Sequence, residues 1–419
     1  MDVRLGHRFT LVWTAGTISW LGDGVTNVAV PLLVASISSS PLVVSGAVFA
    51  GMLPWLLFSL LSGGLVDRLD RRLVMIVVDW VRAVAVGGLA LAVALHWHSI
   101  PLLYGVSFLI GTGETLFRAA SVSLLPAVVP AVLLERANSR LGASRTVVRD
   151  MVAGPLGGFL FVIAAAAPFL LDASTFVIGA VLLMLLRGKY RAREDGARTP
   201  LRTEIVAGLR WLLAHRLLRT FALLIGLLNV TLTAALSILV LVAKQRLGLG
   251  SVGYGALFSA LAVGAVVGSL AGEWLIRRYT ASLTLRVGLL IETGFHLTLA
   301  VSDNAYVVGA AFAVFGVHAA LWTIVTTSLL QRLAPASMLG RVNSTSMFLA
   351  AGGNAFGAVL GGVVAARFGL TAPYWIGFVV AAAVTAVTWR VFDRHTIAAA
   401  YTVDAAPQRD PASTDTPHI

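Results

Sequence analysis

FTLVWTAGTISWLGDGVTNVAVPLLVASI, the segment at residues 9–37, is a long apolar run interrupted by a single charged residue, Asp23. A helix needs roughly 20 mostly apolar residues to cross the hydrocarbon core of a bilayer, and this segment exceeds that length. It is also too long for the apolar region of a cleavable secretion signal, and no small-residue cleavage site stands out. We therefore expect it to form a membrane-spanning helix that stays in the protein.

Eleven further segments of the same character follow, and the composition of the 419 residues agrees with them. Hydrophobic residues make up 58% of the chain and charged residues only 12%, and the mean hydropathy is +0.89. A soluble protein carries about 25% charged residues, and an outer-membrane barrel would show alternating segments of about ten residues. We predict an all-α membrane protein with twelve transmembrane helices, near residues 9–37, 42–66, 73–96, 101–129, 139–164, 167–187, 218–243, 252–276, 282–302, 305–331, 343–366 and 370–392.

The basic residues are distributed unevenly between the two ends of this predicted bundle. Of the 31 Lys and Arg residues, 26 lie at the end that carries both termini, three lie in loops at the other end, and Arg82 and Arg118 lie inside spans. Positively charged loops stay on the cytoplasmic side of a membrane. We therefore predict a multi-pass protein of the cytoplasmic (inner) membrane with both termini in the cytoplasm. This topology accounts for the net charge of +12 without a nucleic-acid partner.

Composition also divides the chain into two halves and two polar segments. We predict an N-terminal six-helix bundle at residues 1–187, a cytoplasmic linker at 188–217, a C-terminal six-helix bundle at 218–393 and a disordered cytoplasmic tail at 394–419. Within the linker, Thr199 and Pro200 suit the start of a helix, and the apolar residues after them have helical spacing. We expect either an amphipathic helix at the membrane surface or a plain linker helix there.

The two halves resemble each other at a nearly constant offset, which indicates an internal repeat. The matched positions are Asp23 with Asn229, Asp67 and Arg71-Arg72 with Glu273 and Arg277-Arg278, Pro130, Arg136 and Asn138-Ser139 with Pro335, Arg341 and Asn343-Ser344, and Gly157-Gly158 with Gly361-Gly362. Two such repeats related by an axis along the membrane normal are the plan of many secondary transporters. We predict two pseudo-symmetric six-helix bundles around a central cavity that opens to alternate sides.

A short loop between spans two and three, GGLVDRLDRR at residues 63–72, resembles the signature loop of the major facilitator superfamily. The family has Gly where this chain has Asp70, a departure that adds a negative charge to an arginine cluster. Further segments resemble the twelve-helix drug:proton antiporter branch, which includes macrolide-efflux proteins and enterobactin exporters: GETLFRAASVSLLPAVVP at 113–130, LLERANS at 133–139, LLDASTF at 170–176 and QRLAPASMLGRVNS at 331–344.

This resemblance implies a role for several loop and helix residues. A cytoplasmic gate motif would comprise Gly63, Asp67, Arg68, Arg71 and Arg72, with Asp67 near the positive N-terminal end of a helix in the other half. The alternative is that these arginines only set the topology. A second-half gate would comprise Glu273, Arg277 and Arg278. An antiporter-like motif in span five, Gly154, Pro155, Gly157 and Gly158, is one residue shorter than the family form, but its proline still favours a kink and its glycines still allow close helix contact.

Charged residues inside the spans are candidates for proton coupling, because each costs about 3 kcal/mol at the helix centre unless it is paired or hydrated. Asp23 has no basic residue one turn away, so it is either a proton carrier or a hydrogen-bonded structural carboxylate. Glu114 and Arg118 are four residues apart on one face, which predicts either a self-neutralising pair or a pair that protonation breaks. Asp79 and Arg82 are three apart, and we interpret them as a structural pair.

Glu292 is the fourth residue of the proton-coupling set, after Asp23, Glu114 and Arg118. It lies four residues before His296 in span nine, and His318 lies in span ten. Histidine titrates near neutrality, so a Glu–His relay is chemically reasonable. The alternative is that these histidines are ordinary packing residues. Asp172 lies towards the outer end of span six, where we expect water to be close, and we interpret it as structural, although it fits the family motif.

These observations predict a secondary active transporter that exports a small lipophilic or amphiphilic compound, such as a drug, a secondary metabolite or a siderophore, as a proton antiporter. A proton-coupled importer and a passive facilitator remain alternatives. The chain has no GxxxxGK[ST] phosphate loop and no catalytic triad spacing, so we expect no enzyme activity. It has no cysteine, and we expect no metal and no cofactor. The resemblance implies a monomer, and aromatic residues in the spans, Trp322 among them, are candidates for lining a cargo cavity.

Overall fold

A computed structural model describes residues 5–66, 68–188, 190–191, 210, 214, 216–333 and 336–392, and in these ranges the chain forms helices without a strand. Eleven helices are long and apolar enough to span a membrane, and a shorter apolar helix of 17 residues, Ala372–Thr388, is the twelfth. The prediction of a twelve-helix membrane protein is therefore confirmed. The spans are Gly6–Ile37, Pro41–Val66, Arg71–Ala94, Ile100–Val128, Ala131–Ile163, Ala167–Leu185, Arg216–Ser237 continuing as Leu239–Gln245, Ser251–Tyr279, Ala281–Val301, Ala305–Leu333, Ala336–Phe368 and Ala372–Thr388.

Packing inside the first half, spans one to six, is repeated inside the second half, spans seven to twelve. Span two packs on span four as span eight packs on span ten, and span one packs on span six as span seven packs on span twelve. The main contacts between the halves obey the same repeat, since span two packs on span eleven and span five packs on span eight. This is the pseudo-symmetric pair of six-helix bundles that the sequence repeat predicts.

The matched glycine pairs explain how these helices approach closely. A side chain at Gly157 would collide with span one, and a side chain at Gly361 would collide with span seven. The next glycine in each pair faces the other half, because Gly158 packs on the start of span eight and Gly362 packs on span two. Small residues let helix backbones meet in a membrane, where dispersion contacts rather than water exclusion drive association.

Among the described residues, the close contacts between the two halves lie towards one end of the bundle. We call the end that carries Arg68, Arg71, Arg72, Arg277 and Arg278 the basic end, and the other the opposite end. Gly154 lies against Gly255, and Ser259 contacts Met151. These contacts, like that of Gly362 with span two, lie in the portions of spans two, five, eight and eleven nearest the opposite end.

Asp70 explains why the loop between spans two and three departs from the family pattern. Its carboxylate accepts hydrogen bonds from the backbone N–H groups of Arg72 and Leu73, at 3.0 and 3.2 Å, and so caps the start of span three. Its other oxygen accepts from the backbone N–H of Tyr190 at 2.9 Å, which ties the segment after span six to this loop. Arg72 donates to carbonyl oxygens at the end of span six, those of Leu183 and Met184, both at 2.8 Å. The Asp70 side chain thus makes three hydrogen bonds that the glycine of the family pattern could not make.

Span five is less regular than its apolar pattern predicts. It consists of the α-helix Leu134–Arg145, the π-helical segment Thr146–Val152 and the α-helix Ala153–Ile163. The predicted start near residue 139 was too late, and the prediction that Arg82 and Arg118 are the basic residues inside spans was wrong. Arg145 and Arg149 also lie within this span, because its helix begins at Leu134 and continues through both residues to Ile163.

Several predictions fall outside the described residues. These are Asp67 of the gate motif, the tail at 394–419, and nearly all of the linker at 188–217 with its amphipathic helix. Pro335 of the repeat also lies outside them. The domain boundaries at 187, 217 and 393 therefore stay predictions.

Candidate functional site

A buried ion pair joins spans one and three in the first half. The Arg82 guanidinium contacts Asp23 through Nη2 and Oδ1, and it lies 3.8 Å from Asp79 Oδ1 on its own helix. All three side chains are almost completely buried, with 5% or less of each exposed. The guanidinium also lies over the Phe176 ring, 4.1 Å from its centroid, which adds a cation–π contact from span six. The predicted Asp79–Arg82 contact is present, but the closer partner of Arg82 is Asp23, which the sequence analysis left without a basic neighbour.

Glycines make room for this ion pair. Gly113 of span four lies against the Arg82 side chain, and a Cβ there would lie 2.6 Å from Arg82 Cδ. Gly22 and Gly24 flank Asp23 and face different helices: a Cβ at Gly22 would meet Asp172 of span six, and one at Gly24 would lie 2.6 Å from the Arg149 carbonyl oxygen of span five. The Gly-Asp-Gly sequence therefore places a carboxylate where three helices converge.

Asp172 is a second buried carboxylate beside this pair. Thr26 of span one donates a hydrogen bond to Asp172 Oδ2 at 2.5 Å, and the Thr175 hydroxyl lies 3.4 Å from Oδ1. Its side chain is fully buried. The prediction that this residue lies near water at the end of span six is wrong, because Gly22 allows span one to cover it.

Glu114 pairs with a residue that the sequence spacing did not indicate. Its Oε1 accepts a hydrogen bond from Arg149 Nη1 of span five at 2.5 Å. Arg118, four residues on, makes no ion pair with it, and its guanidinium lies 5.4 Å from the ring centroid of Trp55 on span two. The predicted Glu114–Arg118 pair is therefore wrong, because the π-helical segment of span five brings Arg149 towards span four. Both Glu114 and Arg149 remain partly exposed, at 19% and 14%.

Carboxyl groups outnumber guanidinium groups in this first-half cluster. Asp23 lies within electrostatic reach of Arg82, Glu114 and Arg149, and Asp79 lies within reach of Asp23 and Asp172. The buried members of this cluster are three carboxyl groups, those of Asp23, Asp79 and Asp172, and one guanidinium group, that of Arg82. Uncompensated charge is costly away from water, so protonation of one of these buried carboxyl groups would reduce the charge imbalance.

The second half contains a separate polar cluster around Glu292. Its carboxylate lies between two imidazoles, with Oε1 3.5 Å from His296 Nε2 and Oε2 3.4 Å from His318 Nε2. Gly288 leaves room for the His318 ring and Gly377 leaves room for the His296 ring. The structure thus brings together the three residues of the predicted relay.

Beside this cluster lies a cavity of about 360 Å³, which we call the recess. Spans seven and ten form most of its wall, and Glu292 of span nine and Ser346 of span eleven complete it. Glu292 and His318 line it together with Asn229, which is the repeat partner of Asp23. Lining residues run from Leu218 and Leu330 near the basic end to Leu232 nearer the middle of the bundle.

The remaining predicted residues lie at the surface or between the halves. Glu273 and Arg277 are highly exposed and pair on their own helix at 3.5 Å, and Arg278 stacks on Tyr279 with a separation of 5.8 Å. Arg68 is exposed. Gly154 and Gly158 lie at the contact between spans five and eight, and Gly157 lies at the contact with span one. The antiporter-like motif is therefore part of the packing between halves.

Sequence reasoning missed Arg149 as a partner of Glu114. Two signals were available: Arg149 lies inside the predicted span 139–164, and Asp150 follows it, so a charged pair interrupts an otherwise apolar segment. An intramembrane charge of this kind indicates a functional or structural partner. Which partner it contacts depends on the π-helical turn, which the sequence pattern does not reveal.

Comparisons with known proteins agree with this arrangement. Residues 5–410 match a protein family described as transmembrane secretion effector. The chain is 28% identical over 369 residues to the enterobactin exporter EntS of Shigella boydii serotype 4 (strain Sb227), a match that covers 84% of each chain. The enterobactin exporter EntS of Escherichia coli O1:K1 / APEC matches with the same identity and coverage.

Solved structures share the fold at low sequence identity. A bacterial homologue of the iron transporter ferroportin, in an inward-facing state, has a TM-score of 0.73 at 17% identity and covers 92% of this chain and 99% of its own. The nucleoside transporter NupG has a TM-score of 0.66 at 12% identity, with coverage of 94% and 99%. At these identities the likeness concerns the arrangement of the helices alone.

Proposed function

The chain belongs to the transmembrane secretion effector family, and on this basis we propose that it exports its small-molecule cargo in exchange for protons. It is a multi-pass membrane transporter of the major facilitator superfamily, and the family and its relatives are transporters rather than enzymes. The proposed cargo is a lipophilic or amphiphilic compound: a drug, a secondary metabolite or a siderophore. The similarity to enterobactin exporters supports a siderophore among these.

One observation carries the proton-coupling proposal: three buried carboxyl groups, those of Asp23, Asp79 and Asp172, lie around one buried guanidinium group, that of Arg82, inside the first half. Protons are the simplest charges that such a cluster can take up, because a proton neutralises a buried carboxylate without bringing a hydrated ion into the membrane. Asp23 and Glu114 are the coupling residues of this proposal, since each contacts an arginine whose pairing a proton would weaken. Arg149 joins them as the partner of Glu114.

We propose that the basic end faces the cytoplasm, so that both termini are cytoplasmic. The distribution of Lys and Arg between the two ends supports this orientation. Among the described residues the close contacts between the halves lie towards the opposite end, so in this orientation the space between the halves would open to the cytoplasm. Cargo would load there, and rocking of the halves would expose it to the outside. The route lies within one chain, which supports a monomer as the working unit.

The orientation of the chain in the membrane can be tested by labelling single introduced cysteines, because the chain itself contains no cysteine that would react. A single Ser39→Cys substitution, in the loop after span one at the opposite end, is expected to react with a membrane-impermeant maleimide added to spheroplasts. A Glu273→Cys substitution at the basic end is expected to react only after the membrane is opened. The reverse pattern would place the termini outside.

The decisive experiment measures coupled transport by the full chain in liposomes. The liposomes contain enterobactin, and a pH-sensitive dye reports proton movement in the opposite direction. Efflux is expected to accelerate under an imposed pH gradient and to lose this acceleration with a protonophore. An efflux rate that does not change with the pH gradient would contradict antiport and support the alternative of a passive facilitator.

Matched variants test which arginine works with Glu114. Glu114→Gln and Arg149→Gln are expected to lower gradient-driven efflux at least about ten-fold, because each breaks a largely buried pair. Arg118→Gln is the control, since its side chain lies over Trp55 and outside the pair. A larger loss in Arg118→Gln than in Arg149→Gln would contradict the assignment.

A further inference from the structure

Span nine carries an arginine inside the helix, close to the basic end. Arg286 is the sixth residue of Ala281–Val301, so it lies roughly 8 Å along the helix axis from the first residue. Its neighbours on the same helix face are Leu283, three residues before it, and Leu290, four residues after it, and both are exposed. Exposed apolar side chains on a membrane span face lipid, so the Arg286 side chain starts on a lipid-facing surface of the second half.

The internal repeat leads to the same position. Counting on by the same nine residues from the matched pair Arg71 and Arg277 reaches Trp80 in the first half and Arg286 in the second. The Trp80 side chain is exposed, and tryptophan is a residue that membrane proteins place at the boundary between lipid and water. The corresponding position of the first half thus also lies at this boundary, and the second half adds a positive charge there.

A tryptophan of span twelve covers one face of this arginine. Trp389 directly follows span twelve, its side chain is 39% exposed, and its ring centroid lies 5.0 Å from the guanidinium carbon of Arg286. Ser282 of span nine donates a hydrogen bond to the carbonyl oxygen of Phe392 at 2.5 Å, which holds the start of span nine against the chain after span twelve. Arg390, next to Trp389, is exposed and adds a second cation. We call Arg286, Trp389 and Arg390 the boundary cluster.

Arg286 lacks an acidic partner within the described part of the chain. Its Nε is buried and has no hydrogen-bond partner there. The carboxylates of the nearest elements have other partners: Glu273 of span eight pairs with Arg277, and Glu292 of span nine lies between two imidazoles. A charge at membrane depth is costly unless it is paired or hydrated. The anion that completes this site therefore comes from outside the chain.

We propose that the boundary cluster binds the phosphate group of an anionic phospholipid such as phosphatidylglycerol or cardiolipin. The planar guanidinium of Arg286 donates paired hydrogen bonds to phosphate oxygens. The exposed side chains of Leu283 and Leu290 contact the acyl chains of the same lipid. Basic pockets between helices at the cytoplasmic side of a membrane suit such head groups. Free phosphate offers the same oxygens but no acyl chain for the apolar surface. This inference depends neither on proton coupling nor on the cargo.

The test measures lipid binding to the purified full chain, delipidated in an uncharged detergent, by native mass spectrometry. Phosphatidylglycerol is compared with phosphatidylethanolamine of the same acyl chains, whose ammonium group neutralises its phosphate. The first bound phosphatidylglycerol is expected to bind more tightly. Arg286→Gln is expected to weaken its binding about ten-fold, because charge-assisted hydrogen bonds to the phosphate are lost. Arg286→Lys, which keeps the charge but not the planar pair of donors, is expected to weaken it less.

Arg187→Gln is the matched control, because it removes an exposed arginine at the basic end of the first half. Its affinity for phosphatidylglycerol is expected to equal that of the parent protein. Equal weakening in Arg187→Gln and Arg286→Gln would indicate general attraction to the basic end and overturn the site. Equal affinity of the parent protein for the two lipids would overturn it as well.

Two further measurements keep the proposal testable. If Arg286→Gln does not fold, Trp389→Leu replaces it, since that side chain is partly exposed. Trp389→Leu is expected to weaken phosphatidylglycerol binding several-fold, and an unchanged affinity would overturn the proposal. Inorganic phosphate in large excess, compared with chloride at equal ionic strength, is expected to leave the lipid bound. Displacement of the lipid by phosphate would assign the site to the free anion and overturn the lipid as its ligand.

Discussion

The hydroxyl of Ser259 on span eight donates a hydrogen bond to the carbonyl oxygen of Met151 on span five at 2.5 Å. The residue four positions after Met151 is Pro155, which has no N–H to donate to that carbonyl. The bond therefore joins the two halves at the position where proline interrupts span five. It forms where the halves meet near the opposite end, so it belongs to the conformation described here and not to one in which that end is open.

Replacing Ser259 by Ala should shift the conformational equilibrium. The variant loses a hydrogen bond worth about 0.5–1.5 kcal/mol, which corresponds to roughly a two- to ten-fold change in the ratio of the two conformations. Spin labels at Ser39→Cys and Ala366→Cys lie one on each half, at the opposite end. A larger share of molecules should show the longer distance between the two labels, which corresponds to an open opposite end. Ser174→Ala is the control, because that hydroxyl donates within its own helix. An unchanged distance distribution would show that the bond does not favour the closed end.

The charge network around Arg82 predicts a rescue by double substitution. Arg82→Gln leaves Asp23 and Asp79 buried without their cation and should cost about 3–5 kcal/mol, seen as a large fall in Tm of the purified protein. Adding Asp23→Asn removes one of the uncompensated carboxylates and should recover part of the loss. A double variant less stable than Arg82→Gln alone would contradict the pairing. Arg118→Gln, whose side chain is exposed, should change Tm little.

Two glycines of span five should differ in what they affect. A Cβ at Gly157 would lie 2.8 Å from the Val25 carbonyl oxygen inside the first half, so Gly157→Ala should lower Tm. A Cβ at Gly154 would lie 2.7 Å from the Gly255 carbonyl oxygen of the other half, so Gly154→Ala should instead separate the halves at the opposite end. The spin-label distance used for Ser259 distinguishes the two effects. Gly142→Ala has open space around it and should alter neither quantity.

Arg246 should stabilise the second half through the end of span nine. Its guanidinium donates to the carbonyl oxygen of Leu299 at 3.0 Å and to Asp303 Oδ1 at 2.6 Å, where the last carbonyls of a helix lack partners. Arg246→Ala should lower stability by about 1–2 kcal/mol, measured by thermal unfolding. Arg246→Lys should lose less, since it keeps the charge but not the fork of donors. Arg277→Ala, at an exposed pair, should change stability by less than about 0.5 kcal/mol.

Part of the candidate site could be predicted from single residues. Asp23, Glu114 and Glu292 were singled out because a carboxyl group inside an apolar segment is costly, and all three contact basic side chains in the structure. The identity of those partners could not be predicted for the first two. Helical spacing predicted Arg118 as the partner of Glu114, whereas in the structure the partner is Arg149 of span five. It predicted no basic partner for Asp23, whereas Arg82 of span three contacts it.

The number of spans, their approximate limits and the repeat follow from the sequence alone, because a bilayer offers no water to backbone groups and each long apolar segment must form its own hydrogen-bonded helix. The pairing of charges depended on tertiary structure. Arg82 and Asp23 are 59 residues apart, and Arg149 and Glu114 are 35 apart, so their contacts depend on which helix faces meet. Glycine positions and the π-helical turn of span five decide those faces through packing, and local periodicity carries no information about contacts between helices.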